Sequence, residues 1–198
     1  MKRKLFGGML FILVLASVHQ ADAKEGFYLG GALLYNSING DFDGTNGPKT
    51  DSGAGIGLVL GYGFTPGLSL EVDWNATGHT AEILSGATPS DAGFGALILA
   101  LKYNFLSDQP VQPFIRGGIG GYAFVIEDPS GDLKLTGSGF DFGVGADYYA
   151  GPHFSIGAGV SRRLIDYKKI EFQGTKANLS PKMSGDATSF DVDFVYHF

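Results

Sequence analysis

From about residue 27 to the C-terminus the chain alternates, with large apolar residues at every second position and glycine or charge between them. The run 55–64 sets Ile56, Leu58, Leu60, Tyr62 and Phe64 against Gly55, Gly57, Val59, Gly61 and Gly63. The run 68–75 sets Leu68, Leu70, Val72 and Trp74 against Ser69, Glu71, Asp73 and Asn75. The runs 96–105, 140–149, 154–163 and 189–198 repeat the rule, and 27–36 and 111–124 follow it more weakly. A repeat of two is the side-chain period of a β-strand, and no window after residue 23 holds a helical period over three turns. The last run alone, with Phe190, Val192, Phe194, Tyr196 and Phe198 opposite Ser189, Asp191, Asp193, Val195 and His197, would suit a soluble sandwich equally well. The whole set does not. A water-soluble core is not built from glycine and carboxylates, nor its outside from leucine and phenylalanine.

The pattern makes sense if the medium outside is lipid. In hydrocarbon every backbone polar group needs an internal partner, so strands must close into a barrel. Long polar stretches near Ser37–Ser52, His79–Asp91, Ile126–Leu135 and Glu171–Ser184 alternate with short proline-bearing turns at Thr65-Pro66-Gly67, Ser107–Pro110 and Gly151-Pro152-His153. Four long and three short links join eight strands and put both ends of the barrel segment on the short-turn side. That asymmetry is the one shown by outer-membrane barrels, with short periplasmic turns and longer external loops. The expected fold is all-β, an eight-stranded antiparallel up-and-down transmembrane β-barrel. Phe27, Tyr62, Phe64, Tyr103, Phe105, Tyr148, Phe154, Tyr196 and Phe198, beside the short turns, are its expected aromatic girdle.

The N-terminus carries a different signal. Lys2, Arg3 and Lys4 precede an apolar stretch from Leu5 through Val18, and Ala21-Asp22-Ala23 offers a small-x-small cleavage site. Residues 1–23 are therefore expected to be a signal peptide and 24–198 the barrel domain. The segment from Lys24 holds 11 basic and 19 acidic residues, a net charge of −8 that disfavours nucleic-acid binding. The absence of cysteine excludes a disulfide framework and thiolate-based zinc or redox chemistry. An aromatic content of 13% argues against disorder.

Three segments carry a family likeness: Gly26-Phe27-Tyr28-Leu29-Gly30-Gly31, Pro113-Phe114-Ile115-Arg116-Gly117-Gly118-Ile119-Gly120-Gly121-Tyr122, and the terminal Phe190-Asp191-Val192-Asp193-Phe194-Val195-Tyr196-His197-Phe198. With them, over essentially all of 24–198, the chain resembles the OmpA/OmpX-like small outer-membrane β-barrel family, the "porin family" barrels. The resemblance implies residence in the bacterial outer membrane, among outer-membrane lipid and lipopolysaccharide. Phe194, Tyr196 and Phe198 resemble the signal read by the barrel-assembly machinery.

The lumen-facing ionisable residues are the main candidate site: Glu71, Asp73, Lys102, Arg116, Asp141, Asp147, Arg163, Asp191 and Asp193. Eight strands enclose an interior just wide enough for side chains to fill, so these six acids and three bases are expected to neutralise one another and plug the bore. The expected role is then structural, or surface interaction with an external ligand through the loops. The alternative is a narrow porin-like path for ions or small or hydrophobic solutes, lined by the surplus carboxylates.

Other motifs carry less. After residue 23 the histidines are His79, His153 and His197, and only His79, expected at the solvated outer rim near Thr80, Glu82 and Ser85, could be assembled into a nucleophile set. No enzyme activity is expected. Asn39-Gly40-Asp41-Phe42-Asp43-Gly44 opens like a calcium loop, but its twelfth position is Thr50 rather than glutamate, so no metal site is expected. Gly53-Ala54-Gly55-Ile56-Gly57 has no helix after it to form a nucleotide loop, and no cofactor is expected. Asn75-Ala76-Thr77 matches a glycosylation triplet without meaning inside a membrane strand. Strict alternation points Arg162 at lipid, where it could meet lipopolysaccharide phosphates unless a bulge turns it elsewhere.

Overall fold

A computed structural model describes residues 25–39, 49–82, 90–127 and 131–198. The expected signal peptide, residues 1–23, lies outside the described residues, as does most of the calcium-like segment. Eight long strands follow one another: β1 (Gly26–Asn39), β2 (Gly53–Gly63), β3 (Leu68–Glu82), β4 (Ser90–Asn104), β5 (Val111–Ile126), β6 (Leu133–Tyr149), β7 (Phe154–Phe172) and β8 (Thr175–His197). A two-residue piece, Lys49–Thr50, pairs with the end of β3. Every pairing is antiparallel between sequence neighbours, and β1 closes on β8 from Tyr28 opposite His197 to Asn39 opposite Asp186. The sheet is a closed barrel.

Its stagger can be followed residue by residue. The row of partners that starts at Gly31 passes through Leu58, Trp74, Leu97, Gly121, Ser138 and Asp166 to Ser184. Gly31 itself pairs with Phe194, ten residues from Ser184 along β8. A closed sheet with that offset must tilt its strands, by roughly 35–45° for barrels of this kind.

Short-range chemistry closes the tight turns. The Thr65 hydroxyl accepts from the backbone of Leu68 at 3.0 Å, and Gln112 donates to the carbonyls of Ser107 and Gln109 at 2.9 and 3.0 Å. The loop end differs from the expected boundaries. β3 runs on to Glu82, β4 begins at Ser90, β6 begins at Leu133, and the stretch Glu171–Ser184 is a strand hairpin rather than a loop. Its turn is Gln173-Gly174, both with positive φ (49° and 77°), the two-residue geometry that matches strand twist. The polar composition that suggested a loop reflects a ribbon standing clear of the apolar band, with water on its faces. Among the described residues, Thr175–Gly185 pairs only with β7.

The faces divide as alternation requires. Leu58, Leu97, Phe142 and Phe190 are each more than half exposed on the outside, a belt that only hydrocarbon would cover. Girdle aromatics meet edge-on near the short turns: Phe27–Tyr62 at 4.9 Å, Tyr103–Phe105 at 5.0 Å and Tyr196–Phe198 at 5.2 Å between ring centroids. Small residues inside make room for large ones. The Tyr28 ring lies over Gly61, and a Cβ on Gly143 would meet Arg116 Cγ at 2.8 Å.

Candidate functional site

The barrel's interior is the candidate site, and it has two halves. In the short-turn half, Glu71 and Asp73 come from β3, Lys102 from β4, Arg116 from β5, Asp141 and Asp147 from β6, Arg163 from β7, and Asp191 and Asp193 from β8. All nine point inward, because each occupies the same alternation phase as its strand's small residues.

Lys102 and Arg116 are cross-strand partners of like charge, an arrangement that would repel if left alone. Glu71 sits between them. Its Oε1 lies 3.5 Å from Lys102 Nζ and its Oε2 accepts from Arg116 at 3.4 Å, while the Tyr28 hydroxyl donates to Oε1 at 2.9 Å. Arg116 also binds Asp73 and lies 3.3 Å, through Nε, from Asp141 Oδ1. Arg163, the cross-strand partner of Asp141, takes its other oxygen at 3.3 Å. Lys102 Nζ reaches Asp147 at 2.8 Å, Asn104 donates to the same oxygen at 2.7 Å, and the ammonium stands 4.3 Å over the Phe114 ring. One arginine thus bridges three carboxylates.

Asp191 and Asp193 are different. Among the described residues no base lies within ion-pair distance of either, and both line a cavity of about 40 Å³ beside Arg116 and Arg163.

The loop half was not foreseen. The expected inner face was glycine and charge, but here it is apolar: Ile98, Phe94, Tyr122, Phe124, Ile126, Leu135, Ile165 and Tyr167 form one buried cluster with Ile38, Ala81 and Ala187. Seven of the eight strands contribute to it, so it spans the bore. Phe94 stacks on Tyr122 with centroids 6.0 Å apart, and the Arg163 guanidinium, 5.9 Å from the Phe94 ring, marks the border between the halves. The available signal was in β5, where Tyr122, Phe124 and Ile126 share the phase of Arg116.

The histidines also fall differently. His79 is not at a solvated rim but buried inside β3. Its Nδ1 donates to the Asp51 carbonyl at 2.9 Å, which leaves Nε2 to accept from the Thr77 hydroxyl at 2.7 Å; Asn36 donates to that hydroxyl at 3.1 Å. His79 is held in place by structural bonds, and Ser85 lies outside the described residues. At the opposite end, Ser155 Oγ lies 2.9 Å from His197 Nε2, a pairing sequence spacing did not suggest. Both are buried, and the adjoining cavity is about 30 Å³, far below the size of a substrate site. Asn75 of the glycosylation triplet is likewise buried inside the barrel. Arg162 does point outward, to Asp186 at 2.5 Å and the Thr188 hydroxyl at 2.7 Å. Among the described residues no cluster of three metal-ligating side chains occurs.

Comparison with known proteins agrees with this geometry. The model of the outer membrane protein beta-barrel domain matches residues 8–198. A search of curated proteins gave no match. Among solved structures, OprG of Pseudomonas aeruginosa is 19% identical, with a TM-score of 0.66 over 91% of this chain and 99% of that one. Neisserial surface protein A is 16% identical, with a TM-score of 0.65 over 88% of this chain and 98% of that one. Ail, the attachment invasion locus protein of Yersinia pestis, is 13% identical, with a TM-score of 0.55 over 88% of this chain and all of that one. At such identities the likeness is one of fold.

Proposed function

The chain belongs to the outer membrane protein beta-barrel domain family and resides in the bacterial outer membrane, and from that premise we propose that it works at the cell surface, through its loop end, on a lumen closed to solutes. The observation that carries this reading is the double closure of the bore. An ionic network fills one half and an apolar cluster spans the other, with a cavity of only about 40 Å³ between ionic side chains. Ions crossing such a barrel would have to break buried pairs and then shed water at an apolar constriction.

The long strands support a role outside the lumen. β7 and β8, at 19 and 23 residues, exceed the roughly ten residues needed to cross an outer membrane, and their excess forms an external ribbon. Ail has been crystallised with the heparin analogue sucrose octasulfate, so a barrel of this fold can present an external ligand surface. We assign this chain the same kind of role, with lipopolysaccharide and outer-membrane lipid as surroundings and an external ligand at the loops. Neither histidine pairing supports catalysis, and no catalytic role is assigned. Phe194, Tyr196 and Phe198, lipid-facing at the end of β8, suit a signal for the barrel-assembly machinery.

One observation favours a second reading. Asp191 and Asp193 give the lumen a surplus of negative charge beside its cavity, as a narrow cation path would require. Planar-bilayer recording of the purified barrel decides between the two. A closed barrel should show no steady conductance above the lipid baseline; stable open steps with cation preference would replace it with the channel.

A further inference from the structure

Charge inside the bore does not balance. Its nine ionisable residues are six carboxylates and three bases, a surplus of three negative charges. Lys102, Arg116 and Arg163 are engaged by Glu71, Asp73, Asp141 and Asp147, which accounts for one of the three. The other two are Asp191 and Asp193, two residues apart on the inward face of β8. A bore walled by lipid solvates charge poorly, so a carboxylate pair without bases is costly there unless something compensates it.

A second observation points to what compensates it. Asp193, Ala32, Gly57 and Asn75 are successive cross-strand partners on β8, β1, β2 and β3. The two small residues in the middle leave room for the cavity of about 40 Å³, which Asp191 and Asp193 line from β8 and Asp73 and Asn75 line from β3. Asn75 and Asp73 are only 7% and 6% exposed, and Oδ1 of each has no hydrogen-bond partner among the described residues. Two acceptors without donors thus share a cavity with two carboxylates without bases, and all are hard oxygen ligands. Arg116 and Arg163 line the same cavity, and Arg163 Nη1 also lacks a hydrogen-bond partner among the described residues. Their charge is already counted, and the surplus remains after it. Water alone would satisfy these hydrogen-bonding groups without supplying any charge.

We propose that the cavity binds one divalent cation of the calcium class, with Asp191 and Asp193 as its carboxylate ligands and Asn75 Oδ1 and Asp73 Oδ1 holding the water that completes its shell. A divalent charge matches the carboxylate pair. Calcium accepts oxygen donors in irregular geometry, whereas magnesium demands a near-ideal octahedron that two neighbouring aspartates and an amide across the bore do not frame. The site is a carboxylate pair completed by an amide rather than three acids or histidines in a cluster. Seated there, the ion ties β8 to β3 across β1, over the seam where the barrel closes. It lies beyond the closed-lumen reading and does not depend on it: a conducting wild type that keeps its calcium would sink that reading alone.

The test folds the barrel in an uncharged detergent with calcium, desalts it into metal-free buffer and measures bound metal by elemental analysis. The wild type should keep close to one calcium per barrel. Asp191→Asn/Asp193→Asn should keep less than about a tenth of that, and Asn75→Ala should weaken binding about tenfold, as loss of an outer-shell partner does. Asp108→Asn, on an exposed short turn, should behave as wild type. Calcium should raise the urea midpoint of the wild type relative to chelator, with no shift from sodium or magnesium and none in the double variant. If the double variant does not show its heat-shifted gel band, the calcium-dependent midpoints of wild type and Asn75→Ala decide. The site is overturned if the wild type keeps no calcium, if Asp191→Asn/Asp193→Asn keeps as much as wild type, or if sodium or magnesium raises the midpoint equally. A wild type that holds no metal and gains stability as pH falls has its surplus neutralised by protons, which also overturns the site.

Discussion

The two halves of the lumen are lined by opposite chemistry. In the short-turn half, Arg116 draws Glu71, Asp73 and Asp141 together, and Lys102 joins Glu71 to Asp147. In the loop half, Phe94, Tyr122, Phe124 and Tyr167 fill the same bore without a single ion pair among themselves. The ionic half is specific, because seven of its nine charges depend on a named partner. The apolar cluster depends on volume. On the closed-lumen proposal the barrel has two independent barriers, and substitutions in the two halves should fail in different ways.

The largest expected effect is in the ionic half. Arg116→Ala strands Asp73 and removes one partner each from Glu71 and Asp141, which keep Lys102 and Arg163, and breaking a buried pair by removing one partner costs about 3–5 kcal/mol. Urea titration followed by the heat-shifted gel band should show a loss of that order, while bilayer recordings stay near baseline because the apolar half is intact. A loss below about 1 kcal/mol would mean that the network adds little.

Phe124→Ala is the matching test of the apolar half. Truncating a buried phenylalanine costs about 3 kcal/mol through lost contact and the cavity left behind. Conductance again stays low, now because the ionic half holds. The double variant Arg116→Ala/Phe124→Ala should conduct, with cations preferred through the surplus of Asp191 and Asp193. If either single variant opens a steady pore, the two barriers are one.

The halves also differed in how far they could be read from sequence. The ionic half was legible because Glu71, Asp73, Lys102 and Asp141 interrupt strands whose opposite phase is uniformly large and apolar. Charge in register with glycine has one physical explanation in a chain of this pattern. The apolar half was not legible, because near the loop end of β5 both phases are apolar: Ala123 and Val125 face out, Phe124 and Ile126 face in. Alternation says which residues share a face but not what lies across a closed bore. The β7–β8 hairpin escaped for a related reason. Beyond the hydrocarbon both faces of a ribbon meet water, the period-two contrast fades, and Gln173-Gly174 is a weaker turn signal than Asn-Gly or Asp-Gly. His79 continues the inward phase of Glu71 and Asp73, but the strand's run to Glu82 and the bond to Asp51, 28 residues away, were not readable from the sequence.

The finest comparison makes one substitution in both halves. Tyr28 donates its hydroxyl to Glu71 at 2.9 Å, and Tyr28→Phe removes that bond from a carboxylate already shared by Lys102 and Arg116. Because two cations still hold Glu71, the expected loss is about 1 kcal/mol, the net value of a single hydrogen bond. Tyr122 is as deeply buried, but among the described residues its hydroxyl has no hydrogen-bond partner. A buried, unpaired hydroxyl costs desolvation with no bond in return, so Tyr122→Phe should leave stability unchanged or raise it. The ring stays in either variant, so stacking of residue 122 on Phe94 is preserved and packing volume barely changes. Parallel urea titrations of the two variants should therefore move in opposite directions, or one should move while the other does not. Equal losses would show that the Tyr122 hydroxyl is satisfied in the membrane and that the loop half is more polar than its residues suggest.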